Sequence, residues 1–178
     1  MPTLVLDPQP AELDALLERR RRLGLDRHDE IWEGVLHMNP GPHGRHHRIS
    51  QQLAELLGPP ATAAGLLPAM GDFNLGTEED YRIPDGGVHR PGPDELYYAT
   101  AAIVVEIVSP DDETQDKLPF YAAHDVDEVL IVDPQKRSVS WLGRSGPSGR
   151  CDGEYQPIER SGLIDVGSDQ LASRIHWA

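Results

Sequence analysis

The stretch "AAIVVEIVSP", residues 101–110, limits the possible folds more than any other. From Ile103 to Val108 every residue but one is isoleucine or valine. Such side chains favour extended backbone, and a run that is apolar on both faces reads as a strand covered on both sides. Helices above and below a mixed central sheet, an α/β architecture, follow from that reading. Glu106 interrupts the run. A carboxylate in an apolar layer costs several kcal/mol unless another group compensates it.

Strand alternation puts Val104, Glu106 and Val108 on one face and Ile103, Val105 and Ile107 on the other. Upstream, "RIPDGGVHR" (82–90) is a second extended segment, with Asp85 directly after Pro84. The connection "RPGPDELYYA" is rich in turn residues. A hairpin centred there sets Asp85 opposite Glu106, where Cβ atoms come within about 5 Å. Two carboxylates so placed repel, so either one stays protonated or a cation stands between them. Oxygen ligands alone select Mg²⁺ or Mn²⁺ over Zn²⁺. The plainer alternative pairs Glu106 with an arginine such as Arg82. Lys117 is a third candidate, at the start of a helix with Asp116 as N-cap and Pro119 in the first turn. Folded back over the sheet, that helix brings Lys117 to a metal-bound water.

Composition narrows the function. A chain of 178 residues is expected to form one domain over 1–178. Its net charge of −14 argues against a broad basic face for nucleic acid, but not against a local groove or acidic metal ligands. Cys151 is the single cysteine, which excludes an internal disulfide and fits a reducing cytoplasm. No apolar stretch approaches the roughly 18 residues of a membrane span. The N-terminus also lacks a basic region followed by an apolar one. His43, His46 and His47 crowd "PGPHGRHH", but no cysteine or second histidine cluster completes a zinc site.

Elsewhere, "PAELDALLERRRRL" (10–23) has a leucine stripe and reads as a helix closed by Gly24. "HDEIWEGVLHM" (28–38) alternates as one strand, with Ile31, Glu33, Val35 and His37 on one face. "RHHRISQQLAELLG" (45–58) is a helix ending at Gly58, with "PPATAAG" as connector. "DEVLIVDP" is a strand closed by Pro134, and "RSVSWLG" with "GEYQPIE" make an outer hairpin.

These residues carry a resemblance. "RIPDGGVHR", then "IVVEIVSPDDETQDKLPFYAAHDVDEVLIVDP", preceded by "DEIWEGVLHMNPGPHGRHHRISQQL", is similar to the Uma-two family, with a core over about 28–142. That family was first catalogued as a domain of unknown function and is assigned to the PD-(D/E)XK restriction-endonuclease-like superfamily. The resemblance implies that fold and a Mg²⁺-dependent endonuclease acting on DNA. Asp85 takes the first metal-binding acidic position and Glu106 the second. The superfamily's strand lysine would fall two residues later, where this chain has Val108; Lys117 fits the family's relocated lysine on the next helix. Glu33, in "WEGV", matches an acidic position near the start of the family domain, and His46, in "RHHRI", a histidine opening its first core helix. The implied ion is held by Asp85, Glu106 and the backbone carbonyl of Ile107, with Lys117 acting on water or phosphate. The rival from another class is a catalytically silent binding or dimerisation module, and pairing of strand edges would make a homodimer.

Overall fold

The computed structural model describes residues 4–6, 13–39, 41, 44–110, 113–144 and 154–177. Cys151, His43 and most of the Gly-rich loop before Cys151 lie outside the described residues. After β1 (Leu4–Leu6), helix α1 (Asp14–Leu23) ends where Gly24 turns left-handed at φ 63°. Its arginines cluster in the last turn, opposing the helix dipole, and Arg20 meets the buried Asp29 at 2.7 Å.

The segment expected to be one strand is a hairpin: β2 (Glu30–Trp32) and β3 (Val35–Met38), joined by Glu33 and Gly34. Both loop residues have positive φ, 51° and 85°, as a two-residue hairpin turn requires. The turn changes which residues share a face. Trp32 pairs with Val35 and Glu30 with His37, so Glu30, Trp32, Val35 and His37 stand together, while Glu33 lies exposed at the tip.

Helix α2 (Gly44–Ala63) runs past Gly58 and through Pro59 and Pro60. Leu53, Leu57 and Ala61 continue its buried stripe at four-residue spacing, and this burial outweighs the prolines' missing donors. Strands β4 (Leu67–Ala69), β5 (Asn74–Thr77), β6 (Asp80–Arg82), β7 (Gly86–His89), β8 (Tyr97–Tyr98) and β9 (Ile103–Ile107) follow. Then come α3 (Thr114–Ala123), β10 (Glu128–Asp133), β11 (Ser138–Gly143), β12 (Gln156–Ile158) and α4 (Ser168–Arg174). Helix α3 starts earlier than the sequence suggests. Glu113 occupies the N-cap position, so Asp116 lies in the first turn and Pro119 beyond it.

Among the described residues these strands form two six-stranded sheets. The central one runs β12-β11-β10-β9-β7-β4 and is mixed, with β9 and β10 parallel across the α3 crossover. The second runs β1-β3-β2-β6-β5-β8. The extended segment around Pro84 is thus two strands in different sheets, with Ile83, Pro84 and Asp85 bridging them. On one face of the central sheet, Ile103, Val105 and Ile107 pack with Ile49, Leu53 and Leu57 of α2 and Leu171 of α4. On the other, Val104 packs with Phe120 and Tyr121 of α3 and Leu75 of β5. This is a mixed α/β arrangement, a sheet between helices, as the sequence implies. Among the described residues no helix is long and apolar enough to cross a membrane.

Candidate active site

The strand β9 sets the site's position. It pairs antiparallel with β7 as Gly86 with Val105, Gly87 with Val104 and Val88 with Ile103. Asp85, the residue before Gly86, continues this register toward the level of Glu106. Gly87 permits the close approach, because a Cβ there would meet the Ile103 carbonyl at 3.0 Å and the Phe73 ring at 2.8 Å.

Glu106 is 3% exposed, on the α3 face of the sheet. Its partners are Lys117, with Nζ 3.5 Å from Oε1, and the Tyr121 hydroxyl, which donates to the same oxygen. Arg82 does not pair with it. That guanidinium instead donates to Asp80 at 2.8 Å and to the Ile31 carbonyl at 2.9 Å. Lys117 and Tyr121 are four apart, so one face of α3 supplies both partners.

Asp85 is held from two sides. Its Oδ2 accepts from the Ile107 amide at 2.7 Å, and its Oδ1 lies 2.9 Å from Nε2 of His46. His46 is in the first turn of α2, which brings that helix to the same end of the sheet. Nearby, His28 Nδ1 lies 3.2 Å from Asp72. The Asp72 contact raises the imidazole's pKa and, in return, His28 lowers that of the carboxyl.

The structure brings in a residue the sequence reading missed. Glu30 is 1% exposed and accepts from Lys117 Nζ at 2.9 Å and from the Ile83 amide at 2.7 Å. Its other oxygen accepts from Trp32 Nε1 at 2.7 Å. Glu33, the expected acidic residue of this segment, does not join the cluster. Its amide donates to Asp80 at 3.0 Å at the hairpin tip. The two-residue turn is the signal that finds Glu30: once "EG" is read as a turn, alternation puts Glu30 and Trp32 on the face that turns inward.

Charge in the cluster is unbalanced, with Glu30, Glu106 and Asp85 around one lysine. Burial pushes the Glu106 carboxyl up to about 8; Lys117 opposes the rise, while Asp85 and Glu30 add to it. Burial alone would lower Lys117, but the attraction of Glu106 and Glu30 outweighs it and the ammonium is held charged. Burial and the Glu106 charge hold Tyr121 well above its ordinary range, so it acts as a donor.

Among the described residues, no set of three or more His, Cys, Asp or Glu side chains is arranged to hold a metal ion. Mg²⁺ does not need one. It keeps most of its waters and binds through one or two carboxylates plus phosphate oxygens. Asp85 and Glu106 supply such an all-oxygen pair, and the excess of carboxylate over ammonium fits an added cation.

The sequence matches a family described as "Putative restriction endonuclease", Uma2, over residues 12–171. The chain belongs to the Uma2 family. No curated protein matches the sequence. Among solved structures, this Uma2 chain is similar to a putative nuclease belonging to DUF820 from Anabaena variabilis ATCC 29413. The two superpose with a TM-score of 0.64 at 16% identity, covering 84% of this chain and 90% of the other. At that identity the likeness concerns the fold.

Proposed function

We propose that the protein is a divalent-metal-dependent endonuclease that hydrolyses phosphodiester bonds of DNA. The observation that supports this reading is the β7–β9 register, whose continuation past Gly86–Val105 runs to Asp85 and Glu106, with the Lys117 ammonium 3.5 Å from Glu106. Asp85 and Glu106 would hold Mg²⁺ or Mn²⁺. The Ile107 amide donates to Asp85, and the N–H and C=O of one strand residue leave the same edge, so the Ile107 carbonyl is aimed to join them. A bound ion would supply Lewis-acid polarisation of the scissile phosphate and a more acidic water.

The chain's own groups do the rest. Glu30 holds Lys117 Nζ on the Glu106 side of the cluster, and the ammonium there offers its protons to the phosphate oxygens as negative charge builds on them. His46 Nε2 and the Ile107 amide fix the two oxygens of Asp85. Tyr121 fixes Oε1 of Glu106, so both carboxylates are oriented before substrate arrives. The burial of Glu106 and Lys117 keeps bulk water from screening these charges.

A second reading, a silent binding module, draws on the same contacts: the Glu30–Lys117–Glu106 network is already closed as a structural ion pair. Cleavage assays separate the two. In Mg²⁺ or Mn²⁺ the protein is expected to cut DNA, and chelator to abolish cutting. Asp85→Ala is expected to lose both metal binding and activity. Lys117→Met is expected to keep metal affinity and lower turnover, because an ammonium cannot ligate a cation. A protein that binds Mn²⁺ but leaves single- and double-stranded DNA intact is the silent module.

A further inference from the structure

Beside the acidic cluster a cleft of about 540 Å³ lies between the β2–β3 hairpin and α3. Its wall is a continuous stack. His37 lies against Trp32 with ring centroids 4.0 Å apart and planes 16° from parallel. The Arg82 guanidinium lies 4.4 Å from the Trp32 ring and 3.9 Å from that of Phe120. His124 in turn stacks on Phe120 at 3.9 Å. Arg82 is 4% exposed and its charge is committed to Asp80 and the Ile31 carbonyl, so it serves as a plane in the stack. Asp116 and Glu33 stand exposed on the rim.

We propose that this cleft receives an unpaired nucleobase bearing an exocyclic amino group, on the strand whose phosphate meets Lys117. The proposal rests on the nuclease reading for its substrate class. Three observations favour a base over a phosphate or an aliphatic ligand. The stack ends at the half-buried His124, whose outer ring face meets no further ring among the described residues and is suited to stacking on a π-face. The rim groups are carboxylates, which repel phosphate and accept hydrogen bonds from amino N–H. The cleft is also joined to the acidic site: Phe120 lies one helical turn beyond Lys117, and Trp32 Nε1 donates to the same Glu30 that holds that lysine.

Net charge points the same way. Phosphate neutralisation by lysine and arginine supplies most nonspecific affinity for DNA. A chain at −14 has little of it to offer, so stacking, which is indifferent to charge, becomes the available source of binding. The volume is within the range of pockets that enclose a small planar ligand, about 300–1,000 Å³.

Anisotropy of short labelled single strands, measured in chelator so that no cleavage intervenes, tests the proposal. The strands are thymine throughout except for one central adenine, cytosine or guanine. Strands with an amino-bearing base are expected to bind more tightly than the all-thymine strand. His124→Ala is expected to weaken binding on the order of tenfold. Asp116→Asn, an exposed substitution that leaves the fold intact, is expected to shrink the difference between amino-bearing and all-thymine strands, with the all-thymine strand bound at least as tightly as by the wild type because a phosphate-repelling charge is gone. If the wild type does not discriminate between the strands, or both variants bind as the wild type does, the proposal is overturned whatever the cleavage assay gives. Base-dependent binding diminished in Asp116→Asn, with no cutting in Mg²⁺, sustains the cleft and overturns the nuclease reading instead.

Discussion

Glu106 binds a proton in the folded chain that it would release in the unfolded one, because burial beside Asp85 and Glu30 moves its carboxyl from 4.5 to about 8. The stability this contributes is complete below about pH 4.5 and is lost as pH rises through about 8. In chelator the melting temperature is therefore expected to fall across that interval. Glu106→Gln is expected to flatten the fall and to melt higher than the wild type at the alkaline end, by on the order of 1–3 kcal/mol. Thermal scans at a series of pH values measure it, and a lower melting temperature throughout would make Glu106 a brace held by Lys117 and Tyr121. Glu30 behaves in the opposite way. It satisfies three donors at once, so Glu30→Gln is expected to destabilise by about 2–3 kcal/mol in a denaturant titration and to slow cleavage by releasing Lys117. Asp85 and Glu106 were legible in the sequence because a period of two and a turn-rich connection fix a ladder register. Lys117 followed from the resemblance and from its place on the next helix. Glu30 was missed because the Glu33–Gly34 turn that aims it inward gives a weak signal, and its partners 53 and 87 residues away give no local one.

At the scale of elements, the β2–β3 hairpin shows how one turn redirects a prediction. Read as a continuous strand, "DEIWEGVLHM" puts Glu33 and His37 on one face; read as a hairpin, it puts Glu30 there and Glu33 at the tip. The misreading arose because glutamate at φ 51° is a poor turn residue and "EG" is a weaker hairpin signal than "NG". The same fact yields a prediction. Glu33→Asn is expected to stabilise the protein by about 0.5–1 kcal/mol, since asparagine adopts left-handed backbone more readily. A melting temperature unchanged or lowered in that variant would mean the turn strain is already relieved by the Glu33 amide bond to Asp80. Helix α2 illustrates the converse limit. Gly58, Pro59 and Pro60 are strong local stop signals, and the buried stripe through Leu57 and Ala61 overrides them.

For the molecule as a whole, the charge of −14 sets how it can meet a polyanion. If binding depends on stacking and on a few oriented contacts, affinity for single-stranded DNA is expected to vary little with salt. The slope of log K against log salt should stay shallower than about −2, as for contact with no more than two or three phosphates. A steep slope would mean that more phosphates are neutralised on binding than a stacking mode requires. The central sheet was legible from hydrophobic runs, whereas the division into two sheets was not, because the chain passes between them repeatedly, once at a bend around Pro84 inside a segment that reads as continuous. That bend has a consequence for biosynthesis. Asp85 belongs to the link between the sheets, and its partners come from α2 and β9, while Glu30 meets Lys117 across 87 residues of chain. The segment from Glu106 to Tyr121 holds only part of the site, and the distant contacts of Glu30 and His46 that complete it close late in folding. The emerging polypeptide therefore carries its acidic groups apart until the helix bearing Lys117 docks, and catalytic competence should arrive in one step with the last of the tertiary structure.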